Sequence, residues 1–91
     1  MVGTEKRFVY VLRSHSDPAH HYVGLTSDVA ERLRRHNSDP HGHTVRHRPW
    51  SVVVTVEFRD EHTAFCFERY LKTGSGRAFA KRHFAPHTTP P

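Results

Sequence analysis

Tyr10, Tyr22, Arg32, His36 and Glu68 are the side chains whose types and spacing could do chemistry together. Glu68 breaks a pattern. Ala64, Phe67 and Leu71 recur at spacings of three and four, the apolar stripe of an amphipathic helix. Glu68 falls four after Ala64 and three before Leu71, on that stripe or at its edge. A buried carboxylate needs a cation or a metal beside it. Arg32, Arg69 or Lys72 could supply an ion pair, or the group could sit at the exposed rim. It could equally hold a divalent ion together with phosphate oxygens of a substrate, an arrangement that suits Mg²⁺. Arg32 and His36 are four apart and share a helix face. Tyr10 and Tyr22 could be plain strand packing, or their hydroxyls could converge on that face. A tyrosine accepts a proton near neutral pH only if nearby positive charge lowers its pKa, and Arg32, His36 and a metal would supply such charge.

The elements that must place these groups follow from local pattern. Arg7 to Arg13 is β-rich, with apolar residues on both faces, and reads as an inner strand covered on both sides. Ser14 to Ala19 is turn chemistry, and His20 to Leu25 reads as a second strand hairpinned onto the first. Gly24 lets the backbone turn or approach another group closely. Asp28 then reads as an N-cap with Glu31 as reciprocal partner, opening a basic helix from Val29 to Asn37 whose Val29 and Leu33 face a core. Ser38 to Thr44 is a loop, and Val45 to Pro49 leads into a third strand, Trp50 to Phe58. Asp60 caps a second helix from Glu61 to about Lys72; Thr73-Gly74-Ser75-Gly76 breaks it, and Arg77 to Phe84 forms a short third helix. Ala85 to Pro91 reads as a frayed tail. The expectation is one domain over residues 1–91, with its core at 7–84: a small α+β fold, a three-stranded antiparallel sheet flanked by helices in the order β-β-α-β-α-α.

Composition narrows the function classes. The chain has 91 residues and a formal net charge of +5, with 11 Arg against 3 Lys. A small basic domain commonly meets a polyanion, nucleic acid first, and arginine's planar fork suits phosphate oxygens. Arg34, Arg35, Arg46, Arg48, Arg77, Lys81 and Arg82 are the candidate phosphate contacts. No run approaches the roughly 18 apolar residues of a membrane span, and the first residues do not read as a signal peptide. The single Cys66 cannot form an internal disulfide, which fits a cytoplasmic setting, and it reads as packing. His41, His43 and His47 invite a zinc reading, but no Cys pair or finger spacing accompanies them, and His15, His20 and His21 lie in another loop. Solvated histidines, some facing phosphates, are the simpler account.

With Phe8-Val9-Tyr10 and Tyr22-Val23-Gly24 both in hand, the chain resembles the GIY-YIG nuclease family. There two short triads, nominally Gly-Ile-Tyr and Tyr-Ile-Gly, lie on neighbouring strands. Eleven residues separate Tyr10 from Tyr22 here, and Arg32 falls ten after Tyr22, where the family arginine stands. His36 follows one turn later, and Glu68 matches the glutamate on the helix after the third strand. Leu71 to Phe79 looks like the ending of small stand-alone bacterial members. Phe8 and Val9 replace the first Gly and Ile, Ala80 stands where many members carry Asn, and Leu25-Thr26 stand where some carry Lys.

The resemblance implies metal-dependent hydrolysis of DNA phosphodiesters, with a place in repair or recombination. Glu68 would hold one Mg²⁺ or Mn²⁺, Tyr10 or Tyr22 would take a proton from the attacking water with His36 as relay, and Arg32 would neutralise charge on the phosphate. Such a small domain would read DNA shape or junctions more than sequence, or depend on a protein partner. The rival expectations are a non-catalytic nucleic-acid-binding domain of the same fold and a structural zinc protein.

Overall fold

Strand β1, Arg7–Ser14, carries Val9 and Val11 on one face and Tyr10, Leu12 and Ser14 on the other, and all five are buried. A strand with two apolar faces belongs in the middle of a sheet. In the computed structural model, which describes residues 5–39 and 44–84, β1 is indeed central. It pairs antiparallel with β2, His21–Thr26, on one side and with β3, Trp50–Phe58, on the other. Helices α1, Val29–Ser38, α2, Glu61–Leu71, and α3, Gly74–His83, complete the order β-β-α-β-α-α.

Strand alternation sorts the core into two layers. Tyr10, Leu12 and Trp50 pack with Tyr22 and with Val29 and Leu33 of α1. Val9 and Val11 pack with Ala64 and Leu71 of α2, joined by Phe67, Phe79 and Phe84. The register sets Tyr10 opposite Gly24, and Leu12 opposite Tyr22. A bulge between Val11 and Leu12 shifts the pairing with β3, so that Val11 faces Val54 but Leu12 faces Val52.

Three local expectations need correction. Residues 73–76 do not merely break a helix. Thr73 is the N-cap of α3 and its hydroxyl accepts the Gly76 N–H, so Gly74 to Gly76 form the first turn. Val45–His47 is a 3₁₀ turn, η1, rather than a simple lead into β3. The Asp28 cap is present, accepting the Glu31 N–H at 3.1 Å, but the reciprocal half of the capping box is not. The Asp28 N–H donates to Thr26 Oγ1, and the Glu31 carboxylate turns to Arg34. The tail from Ala85 to Pro91, with His41 and His43, lies outside the described residues. No described helix is long and apolar enough to cross a membrane.

Candidate active site

The layer under α1 brings four of the five singled-out residues together. The Tyr10 side chain is fully buried, and its hydroxyl shares a 3.0 Å hydrogen bond with Nε2 of His36. The His36 ring packs on Tyr22, centroids 4.6 Å apart, and the two tyrosine rings lie 6.2 Å apart. Arg32, one helical turn before His36, sets its guanidinium beside the Tyr10 phenol. Its Nε is buried and has no hydrogen-bond partner among the described residues. An orphaned buried donor of this kind costs about 1–3 kcal/mol unless an acceptor arrives.

Backbone choices hold this cluster. Gly24 leaves the space the Tyr10 phenol occupies: a Cβ there would stand 2.3 Å from the Tyr10 hydroxyl and 2.4 Å from its ring carbon Cζ. His36 is backed from its other nitrogen, Nδ1, which lies 3.3 Å from Thr44 Oγ1. Thr44 in turn is fixed by Trp50, whose indole N–H donates to the Thr44 carbonyl at 2.9 Å. The end of α1 is clasped by Arg48, whose Nε donates to the His36 carbonyl at 2.6 Å and whose Nη2 donates to the Asp39 carbonyl.

Glu68 comes from α2, the helix whose Ala64 and Leu71 belong to the other layer. It is buried, at 8% exposure, and its carboxylate meets Lys72 Nζ at 2.5 Å, one turn along the same helix. Of the partners open to it by spacing, Lys72 is the one it takes. Its negative charge reaches Tyr10 and helps to raise the phenol's pKa. Glu68 thus joins the cluster through its field.

The electrostatics of Tyr10 set burial against charge. Its pKa is pushed up to about 12, first by burial and then by the neighbouring Tyr22, against the lowering influence of Arg32. Arg32 pulls the phenol towards greater acidity, but burial outweighs it. A net lowering needs a further positive charge.

The candidate phosphate contacts divide. Arg77 and Lys81, four apart on α3, line a groove of about 820 Å³ together with Lys72, His20, His21 and Tyr22. Arg35, Arg46 and Arg82 are exposed, and Arg34 is exposed but paired with Glu31 at 3.0 Å. Arg48 departs from the expectation: half-buried and bonded to two carbonyls, it is turned inward as a clasp. Thr44 was not among the sequence candidates, because no local signal marks a threonine eight residues beyond the histidine it backs. Cys66 is exposed rather than packed, 3.7 Å from His62 Nε2.

The chain is 36% identical over 77 residues to the structure-specific endonuclease subunit SLX1 of Meyerozyma guilliermondii, a stretch of 78% of this chain and 26% of that protein. It is 38% identical over 82 residues to the SLX1 subunit of Candida dubliniensis, covering 82% of this chain and 27% of that one. The chain therefore spans about a quarter of the length of these curated relatives. Among solved structures, the solution structure of the UPF0213 protein BH0048 from Bacillus halodurans matches with a TM-score of 0.54 over 89% of this chain and 88% of that one, at 24% identity, which bears on the fold alone. The GIY-YIG catalytic domain model matches residues 6–83, nearly the whole sequence, and on that match the chain belongs to the GIY-YIG family.

Proposed function

We propose that the chain is a metal-dependent endonuclease that hydrolyses phosphodiester bonds in DNA, choosing its sites by DNA structure rather than sequence. The observation that carries this reading is the buried, partnerless Nε of Arg32 beside the Tyr10–His36 pair. A phosphate oxygen would satisfy that donor and bring the ester to the phenol. The curated relatives are named as structure-specific endonuclease subunits, and on this reading the chain acts in DNA repair or recombination.

Glu68 is the ligand on offer to a divalent ion: it is a buried carboxylate, from which the ion would displace the Lys72 ammonium, and one carboxylate plus substrate phosphates is a donor set Mg²⁺ accepts. Bound there, Mg²⁺ or Mn²⁺ would polarise a non-bridging oxygen and stabilise the leaving 3′ oxygen. Arg32 neutralises charge that develops on the pentacovalent phosphate. Tyr10 or Tyr22 takes the proton of the attacking water. For Tyr10 the route onward is Nε2 of His36, and the Thr44 hydroxyl, by accepting from Nδ1, would favour the tautomer in which Nε2 accepts. Arg77, Lys81 and Lys72 supply the groove for flanking phosphates.

Removing one such electrostatic contact costs about 10² to 10³ in rate. Arg32→Ala and Glu68→Gln are each expected to lose Mn²⁺-dependent nicking by that factor while keeping the circular dichroism of the parent. Labelled branched, nicked and single-stranded DNA are the substrates to compare. Wild-type rates in either purified variant would refute the assignment. The same panel separates the second reading, a non-catalytic binding domain, which the raised Tyr10 pKa and the core-packed Ala80 favour. That reading predicts binding with no metal-dependent cleavage by the wild type.

A further inference from the structure

We propose that Asp17, His20 and His47 form a transition-metal site, separate from Glu68, that clasps the β1–β2 turn to η1. The three side chains come from two loops far apart in sequence, and one donor atom from each lies within 4.8 Å of the others. His20 Nδ1 already stands 3.4 Å from Asp17 Oδ2. The edge of a tetrahedral site with metal–ligand bonds near 2.0–2.1 Å is about 3.3 Å. That pair is therefore at coordination spacing, and side-chain movements on the order of 1 Å bring in the third donor.

The loops are held for this purpose by one buried hydroxyl. Ser14, fully buried, donates from Oγ to the His47 carbonyl at 2.6 Å and accepts the Asp17 N–H at 3.0 Å. The Ser14 N–H donates to the His20 carbonyl at 3.0 Å, and the His20 N–H to the Asp17 carbonyl at 2.8 Å. All three ligand backbones thus meet at Ser14. The imidazoles stack at 3.8 Å, with the His47 ring against the edge of Trp50. Asp17 and His20 are exposed, so an ion can reach them from solvent.

Two imidazoles and one carboxylate form a borderline donor set. It selects Zn²⁺, Co²⁺, Ni²⁺ or Cu²⁺ over Mg²⁺, with water completing the shell. Glu68 offers oxygen alone and suits the harder ion, so the two sites divide by ligand chemistry. An ion at the clasp would also steady η1, which begins one residue after Thr44, the group behind His36.

Chelator-treated protein titrated with Zn²⁺ by calorimetry, and with Co²⁺ by visible absorption, tests the site. The wild type is expected to bind one equivalent of Zn²⁺ more than His20→Ala or His47→Ala does. His15→Ala and Glu68→Gln should keep that equivalent, which separates the clasp from other histidines and from the proposed catalytic ion. Loss of an outer partner of a metal ligand costs 10–100-fold in affinity, so loss of a ligand should cost roughly tenfold or more. If either histidine variant loses its circular dichroism, Asp17→Asn at the exposed turn makes the same comparison. Zn²⁺ isotherms and Co²⁺ spectra unchanged in folded Asp17→Asn and either histidine variant would overturn the proposal.

Discussion

Gly24 and the Tyr10 phenol occupy one space, and that pairing explains why a glycine must end the second triad. The close approach was legible in the sequence as a property of glycine; what approaches it was not, because only the antiparallel register sets Tyr10 opposite Gly24. Tyr10 is fully buried and cannot swing away freely. Gly24→Ala should therefore displace the phenol, lose the hydrogen bond to His36 and destabilise the domain by about 1–3 kcal/mol through overpacking. Nicking should fall by roughly 10²-fold or more, the share of a positioned acid–base group. A rate equal to wild type in the folded variant would mean that Tyr10 is not where the proton goes. The protonation of Tyr10 depends on two opposed influences, of which the sequence shows one. Positive neighbours suggested a lowered pKa, but burial outweighs Arg32, and burial is a property of the assembled core.

At the scale of elements, α1 carries the arginine and histidine of the site, and its position depends on both ends. Asp28 caps the start, and Arg48 holds the carbonyls at the end. Asp28→Ala should cost about 1 kcal/mol by chemical denaturation, the usual worth of such a cap. Midpoints indistinguishable from wild type would show that packing and the Arg48 clasp hold α1 without the cap. The cap was legible because its signal is local. The clasp was not: Arg48 and the His36 carbonyl are twelve residues apart, and a sequence shows only one more arginine in a basic chain. The early start of α3 was missed for a related reason. Glycines read as breakers, yet a Cβ at Gly76 would meet the Tyr70 carbonyl oxygen at 1.8 Å, so the first turn of α3 needs glycine where it folds against the end of α2.

For the whole molecule, charge and burial give two expectations. The net charge of +5 and the basic groove predict DNA binding that weakens with salt. With about five phosphates contacted, the log–log slope against salt should lie at about −4.5, measured by fluorescence anisotropy on duplex DNA. A flat response would remove the groove from the binding surface. Tyr10 links pH to stability. Its folded pKa of about 12 lies above the ordinary 10.0, so its contribution is complete below pH 10 and is lost as pH rises from 10 towards 12. The loss is roughly 2–3 kcal/mol at two pKa units. Alkaline unfolding followed by circular dichroism should be steeper in wild type than in Tyr10→Phe over that window; equal curves would show that Tyr10 does not report the core. The sequence by itself determined the three strands, the first two helices with their Asp28 and Asp60 caps, and the family motif, because periodicity, capping and turn chemistry act over a few residues. Only the tertiary structure decided that Thr44 backs His36, that Arg48 turns inward, that Lys72 takes Glu68 and that His20 meets His47. Most of these are contacts between loops and elements distant in the chain, and the Lys72 pairing was one of several that spacing allowed. Contacts of this kind are chosen by packing and by burial from water, neither of which a linear order of residues contains.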